Sequence, residues 1–104
     1  MDVSEPDVLS PERLRALLVE FRRLHGNRYG IRALGYFGSY ARGVAKPGSD
    51  VDIVFDTDAP NLFLAAMLRQ DLEAYLGRPV DLLQTRGLPN SRFKTRVERE
   101  AVYV

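Results

Sequence analysis

The chain has 104 residues, 45% of them hydrophobic, and a formal net charge of +1. This length suits one compact domain with a two-layer core and leaves no room for a separate acceptor-binding domain. The absence of cysteine excludes disulfides and thiolate zinc sites. The single histidine, His25, argues against histidine-rich metal sites and Ser-His-Asp catalysis. Metal chemistry would therefore have to use oxygen ligands.

The N-terminus carries no sign of a targeting segment. Residues 1–10 are acidic and lack the basic and apolar regions of a signal peptide, and no apolar run approaches the roughly 20 residues of a membrane span. We therefore expect a cytoplasmic protein without a membrane partner. We treat residues 1–104 as a single domain in which residues 1–9 form a flexible N-terminal extension.

The first predicted element is an amphipathic helix. Ser10 is a favoured N-cap residue and Pro11 suits the first helical position. Gly26-Asn27 predicts the end of the helix. Apolar residues recur at helical spacing on one face: Leu14, Leu17, Leu18, Phe21 and Leu24.

A strand and a turn follow this helix. Ile31 to Phe37 has the β-branched and aromatic character of a strand, which runs directly into Gly38-Ser39. A short helix is expected over residues 40–43, with its N-terminus at Ser39. Residues 44–49 contain Pro47-Gly48 and are expected to form a turn or loop.

The next segment, residues 50–55, alternates carboxylates with apolar residues. This period of two predicts a strand with Val51, Ile53 and Phe55 on the core face, and with Asp50 and Asp52 on the other. Residues 56–60 are expected to break the strand.

The remaining elements alternate helix and strand. Asn61 is expected to cap a helix that ends at Gly77, and residues 79–83 read as a short strand that carries Asp81. After a loop over residues 85–90, Ser91 is expected to cap a short helix that packs through Phe93 and Val97. Residues 101–104 read as a last strand. This order predicts an α/β (α+β) fold, a small mixed sheet with helices packed on it.

The chemistry is concentrated in residues 38–52. Two carboxylates at alternate strand positions, Asp50 and Asp52, point the same way and can hold hard divalent cations, as a two-metal site for displacement at phosphorus requires. Gly38 would let the backbone approach phosphates closely, and Ser39 would offer its N–H and hydroxyl at a helix N-terminus. A nucleoside triphosphate fits this arrangement.

Three competing motifs fit less well. Gly38 and Gly43 match the glycines of a P-loop, but Val44-Ala45 stands where Lys-Ser/Thr is required. The two aspartates begin like a calcium loop, but Phe55 replaces its glycine and Asn61 its closing glutamate. A paired-carboxylate glycosidase would give the Gly-Ser pair no role, and the chain has no tryptophan platform.

Gly38-Ser39, ten further residues and Asp50-x-Asp52 resemble the signature of the DNA polymerase beta-like nucleotidyltransferase superfamily. The sequence Ala41-Arg42-Gly43 and Ser49 resemble its minimal nucleotidyltransferase (MNT) branch. The resemblance implies the nucleotidyltransferase fold, with Asp50 and Asp52 as metal ligands. It also implies that Gly38, Ser39, Arg42 and Ser49 contribute to nucleotide binding.

The family has a third metal-binding carboxylate on a neighbouring strand, and Asp81 matches it. It would complete one metal site and could activate the acceptor hydroxyl. Asp56 is the alternative because it shares the strand parity of Asp50 and Asp52. Arg42 could contact a phosphate, or it could pair with a carboxylate such as Asp50 or Asp52 and brace the loop.

The resemblance implies transfer of a nucleoside monophosphate, most plausibly AMP from ATP, to a hydroxyl group with Mg²⁺ as cofactor. Similar small proteins are antitoxins that bind and adenylylate HEPN-type helical toxins, so a HEPN toxin is the expected partner. The alternatives are a non-catalytic antitoxin that acts by binding alone and a transferase for an antibiotic-type small molecule. Direct nucleic-acid binding is not expected, because the basic residues of the last helix read as a solvated face: Arg92, Lys94, Arg96 and Arg99.

Overall fold

The computed structural model describes residues 8–58 and 61–104. In chain order the elements are α1 (Pro11–Tyr29), β1 (Ile31–Phe37), α2 (Gly38–Arg42), β2 (Val51–Thr57), α3 (Leu62–Leu76), β3 (Val80–Gln84), a 3-10 turn (Thr85–Gly87), α4 (Arg92–Glu100) and β4 (Val102–Tyr103). The predicted order of helices and strands is confirmed.

The four strands form one mixed sheet in the order β3-β2-β1-β4. Strand β1 is antiparallel to β2 and β4, whereas β2 and β3 are parallel. The carboxyl end of β1 therefore lies beside the amino ends of β2 and β3. Residues that follow β1 are thereby placed next to residues that begin the other two strands.

Helices α1 and α3 cover one face of the sheet. The expected core residues of β2, Val51, Ile53 and Phe55, are buried there with leucines from both helices. Ser10 caps α1 by accepting from the N–H of Arg13, and Asn61 caps α3 by accepting from two backbone N–H groups. The third predicted cap, Ser91, accepts from the N–H of Lys94 at the start of α4. All three predicted caps are confirmed, and each satisfies donors that a helix start otherwise leaves without partners.

Helix α4 covers part of the opposite face. A small second core joins Phe37 of β1, Val54 of β2 and Val97 of α4. Because side chains alternate along a strand, Val54 lies on the same face as Asp52. Helix α4 is therefore packed on the side of the sheet that carries the aspartate.

Helix α1 is longer than predicted. It runs through Gly26 and ends at Tyr29, and Gly30 forms the left-handed C-cap with a φ of 62°. Tyr29 is buried, and its hydroxyl donates a hydrogen bond to Asp71 of α3. This tertiary contact outweighs the weak helix propensity of Gly26. Leu24 was wrongly placed on the packed face, since its side chain is exposed.

Strand β2 is also longer than predicted. Asp56 and Thr57 stay in the strand because they pair with Ala33 and Ile31 of β1. The prediction that Phe93 packs with Val97 was wrong for Phe93, which is largely exposed.

Residues 1–7, most of the proposed N-terminal extension, lie outside the described residues. Leu9 is described and packs against the main core. No helix in residues 8–58 and 61–104 is both long and apolar enough to span a membrane.

Candidate functional site

A cavity of about 280 Å³ opens between α4 and the junction of β1, β2 and β3. Its walls include Phe37, Leu83 and Val97 from the second core. The polar and charged positions that line it come from four elements: Gly38, Arg42, Asp52, Asp81, Arg96 and Glu100. Four of the sequence-predicted site residues therefore meet in one place: Gly38, Arg42, Asp52 and Asp81.

Asp52 and Asp81 are direct neighbours on the parallel strands β2 and β3, where their Cα atoms are register partners. They consequently project from the same face of the sheet. Burial raises the pKa of Asp52, and repulsion from Asp81 and Asp50 raises it further. A positive ion at this place would relieve that repulsion.

Asp50 precedes the first residue of β2, is exposed and does not line the cavity. It is nevertheless close enough to Asp52 to raise the pKa of that carboxyl group. Residues 8–58 and 61–104 contain no preassembled group of three or more acidic or histidine side chains at metal-binding separations. Two neighbouring carboxylates in a shared cavity still fit the oxygen chemistry of a hard divalent cation.

Asp56 lies apart from this site. It is four residues beyond Asp52 along β2, or about 13 Å at the usual rise of a strand. Its carboxylate forms an ion pair with Arg86 at 3.2 Å. Of the two candidates for the third carboxylate, only Asp81 lines the cavity with Asp52.

Gly38 is required by the position of Asp52. It has a φ of 71°, and a Cβ atom built on it would lie 2.9 Å from Cγ of Asp52 and closer still to Oδ2. Both the left-handed backbone and the missing side chain are needed for this contact. The predicted reason for the glycine, close approach to phosphates, is therefore incomplete, because the carboxylate of Asp52 already occupies that space.

Glu100 is a site residue that the sequence reading missed. Its Oε1 accepts hydrogen bonds from the N–H of Gly38 at 2.9 Å and from Nη1 of Arg42 at 3.0 Å. Arg42 therefore pairs with a carboxylate, as one of the two predictions held, although its partner is Glu100 and neither of the two aspartates that were named as examples. The glutamate is the last residue of α4, and its 62-residue separation from Gly38 left no local pattern to find.

The two predicted serines lie outside the cavity lining. Ser39 is half-buried within α2, and its carbonyl oxygen accepts from the N–H of Val44 at 2.9 Å. The hydroxyl oxygen of Ser49 accepts from the N–H of Lys46 at 2.9 Å. Ser49 thus closes the predicted turn of the 44–49 loop.

Arg96 and Phe93 of α4 form a part of the cavity wall that the sequence reading did not predict. Both line the cavity, and the guanidinium carbon of Arg96 lies 5.9 Å from the ring centre of Phe93. Arg96 is exposed, as expected for a solvated helix face, but the sequence reading did not predict that it also lines the cavity. Residues 93, 96, 97 and 100 share one face of α4 because they recur at spacings of three and four, and this periodicity was the one available signal.

Residues 14–104 match the model of the nucleotidyltransferase domain family. The protein adenylyltransferase MntA of Thermococcus cleftensis is 42% identical over 98 residues, which are 93% of this chain and 98% of that protein.

Two solved structures share the fold. One, assigned provisionally to the minimal nucleotidyltransferases, has a TM-score of 0.77 and 35% identity, and the match covers 93% of this chain and 98% of the other. The second is a tri-AMPylated Shewanella oneidensis HEPN toxin in complex with an MNT antitoxin, with a TM-score of 0.57, 20% identity and coverage of 90% and 67%. By its matched domain, its relatives and the geometry of its site, the chain belongs to the nucleotidyltransferase domain family.

Proposed function

We propose that this protein transfers AMP from ATP to a hydroxyl group on a partner protein, and that the partner is a HEPN-type toxin which this chain neutralises as an antitoxin. The observation that carries the proposal is the placement of Asp52 and Asp81 as register partners in one cavity beside Gly38. The similarity to a protein adenylyltransferase supports the class of reaction. The fold shared with an MNT antitoxin complex supports the class of partner.

In this reaction the acceptor oxygen attacks the α-phosphorus of ATP. The bond between that phosphorus and the oxygen bridging to the β-phosphate breaks, and pyrophosphate leaves. Asp52 and Asp81, with Asp50 nearby, would hold Mg²⁺, which when bound stabilises the charge on the transferring phosphoryl group. Asp81, the more exposed of the two cavity aspartates, would take the proton of the acceptor hydroxyl.

The cationic side of the cavity would receive the phosphates. Arg42 is tied to Glu100, so Arg96 is the better candidate for a direct phosphate contact. Arginine suits this role because its planar fork matches phosphate oxygens. Ser39 and Ser49 lie on the adjoining segments and would reach the nucleotide only if those segments shift when it binds.

The cavity is small for a whole nucleotide. Its volume of about 280 Å³ lies just below the range of about 300–1000 Å³ for small-molecule sites. It suits the phosphate end of ATP, and the nucleoside would extend towards the solvent. A partner protein seated over the cavity would then enclose the nucleotide and present its hydroxyl.

A transfer assay tests the proposal. The wild-type protein and the variant Asp52→Asn would be incubated with α-labelled ATP, Mg²⁺ and the protein encoded by the adjacent gene. Label on the partner with the wild type, and none with the variant, is the expected result.

Two other results would contradict it. Silencing of the bound partner without any label would instead favour an antitoxin that acts by binding alone. A labelled small acceptor in the absence of the partner would favour the antibiotic-type transferase.

A further inference from the structure

Arg42 lines the cavity together with Asp52 and Asp81, but it is hydrogen-bonded to Glu100. Its Nη1 donates to Oε1 of Glu100 at 3.0 Å, and the same oxygen accepts from the backbone N–H of Gly38 at 2.9 Å. The Glu100 side chain is 19% exposed and that of Arg42 is 51% exposed. Glu100 is thus the less mobile partner, held by a backbone donor as well as by the arginine.

Arg42 also lies beside the part of the site that holds Asp52. The Oε1 atom of Glu100 that accepts from Arg42 also accepts from the N–H of Gly38, and the carboxylate of Asp52 occupies the Cβ position of that glycine. Arg42, Asp52 and Glu100 line the same cavity. An arginine released at this place would be free to pair with Asp52, and a carboxylate that is paired with arginine is no longer free for a metal ion.

We propose that Glu100 is a positioning residue that holds Arg42 away from Asp52, so that the cavity carboxylates stay available to a divalent cation. The inference rests on the proposed nucleotidyl transfer. If it holds, α4 does more than pack on the sheet through Val97, because its last residue also keeps Arg42 in position. This role also explains why one oxygen of Glu100 bonds to both the turn at Gly38 and the end of α2.

The expected effect is on cation affinity. An opposite charge within about 4–6 Å stabilises an ionised carboxylate by about 1–3 pKa units. A cation that binds to the carboxylate must displace that charge, so a freed Arg42 should weaken cation binding by about tenfold or more.

The test is a double-mutant cycle in which the affinity of each protein for Mn²⁺ is measured directly. Either calorimetry or the paramagnetic resonance signal of the free ion gives this affinity. The proteins are the wild type, Arg42→Ala, Glu100→Ala and Arg42→Ala/Glu100→Ala. We expect Glu100→Ala to weaken Mn²⁺ binding about tenfold. Removal of Arg42 should then strengthen binding about tenfold in the Glu100→Ala background, but less than about threefold in the wild-type background.

Unequal effects of Arg42→Ala in the two backgrounds are the signature of the proposed role. If the two charges acted only through their long-range fields, Arg42→Ala would have the same effect in both backgrounds, and that result would overturn the inference. Persistent weak binding in the double variant would overturn it as well, since Glu100 would then be a cation ligand or a purely structural residue.

Folding is checked by circular dichroism. If Glu100→Ala does not fold, Glu100→Gln takes its place in the cycle, because its amide oxygen can still accept from the N–H of Gly38 while the loss of the charge weakens its hold on Arg42. Failure of the wild type to bind Mn²⁺, with or without ATP, would reject the metal-dependent function itself. Wild-type binding that Glu100 substitutions leave unchanged would reject only the role of Glu100.

Discussion

The carboxylate of Asp52 lies where a side chain at Gly38 would have to be. The contact joins the turn after β1 to the adjacent strand β2, and it leaves the Gly38 backbone in a left-handed conformation with a φ of 71°. Gly38 thus contributes to the site because it has no side chain, which leaves room for the carboxylate of Asp52.

Gly38→Ala is expected to disable the site. The new methyl group would force Asp52 out of its position, in addition to a cost of about 1–2 kcal/mol for the left-handed backbone. Gly43→Ala is a matched control, because Gly43 has a φ of 73° but nothing within 4 Å of its Cβ position. Thermal unfolding should show that both variants lose stability, and assays of AMP transfer from labelled ATP should show that only Gly38→Ala loses nearly all activity. Equal transfer in the two variants would contradict the structural role of this contact.

Asp52→Asn is expected to stabilise the metal-free protein at neutral pH. The pKa of Asp52 is raised in the folded state, so its ionisation opposes folding. This penalty is absent below the unfolded-state pKa and is fully present above the folded-state pKa.

The gain in Tm at pH 7 should be up to about 6 °C, since a like-charge neighbour on an adjacent strand costs up to about 1 kcal/mol. Calorimetric scans should show that this gain disappears near pH 3, where both states are protonated. A variant that is less stable than the wild type at pH 7 would indicate that Asp52 is needed for the fold.

Asp81→Asn should abolish transfer, whereas Asp56→Asn should not. The two substitutions make the same chemical change on the same face of the sheet, but only Asp81 lines the cavity. We expect a loss of about 100-fold or more for Asp81→Asn, as for the removal of a general base. For Asp56→Asn, transfer should stay within about threefold, and stability should fall by less than about 1 kcal/mol with the loss of the Arg86 ion pair. Label transfer to the partner is the measurement, and the reverse ranking would reassign the third carboxylate.

Tyr29→Phe tests the contact that extends α1. The hydroxyl of Tyr29 donates to Asp71, and burial together with this carboxylate raises the pKa of Tyr29 to about 12. The neutral hydroxyl therefore stabilises the fold fully below about pH 10, the unfolded-state value, and this contribution is lost as the pH rises through about 12.

Tyr29→Phe should cost about 1–2 kcal/mol at pH 7 and should flatten the decline in stability above pH 10. Denaturant unfolding at several pH values measures both effects. Tyr75→Phe is the control for the loss of a hydroxyl, since Tyr75 packs edge-on against Phe21. An unchanged alkaline decline in Tyr29→Phe would mean that another group causes it.

The elements and half of the site could be predicted from local patterns. Asp50 and Asp52 alternate with core residues, and Asp81 lies in a strand with apolar flanks, so strand parity alone indicated where the acids project. Gly26 misled the prediction because the tertiary contact of Tyr29 with Asp71 decides where α1 ends. Local reading cannot detect such a contact.

Glu100 and Arg96 escaped prediction for a related reason. Their roles arise when α4 docks on the sheet through Val97. The spacing of residues along α4 indicates which of them share a face, but it does not report which part of the sheet that face meets. Arg42 shows the same limit. Its position in the motif was recognised, but its partner lies 58 residues away.

The second core also determines how often the site is intact. Val97 is the one side chain of α4 that is buried, and small docked elements of this kind open locally at a lower free energy than the whole domain. The N–H of Gly38 depends on Glu100 for its acceptor. Each time α4 lifts, this amide can exchange its hydrogen with the solvent. The exchange rate of this single backbone position would therefore record the fraction of time for which the turn at Gly38 lacks the support of Glu100.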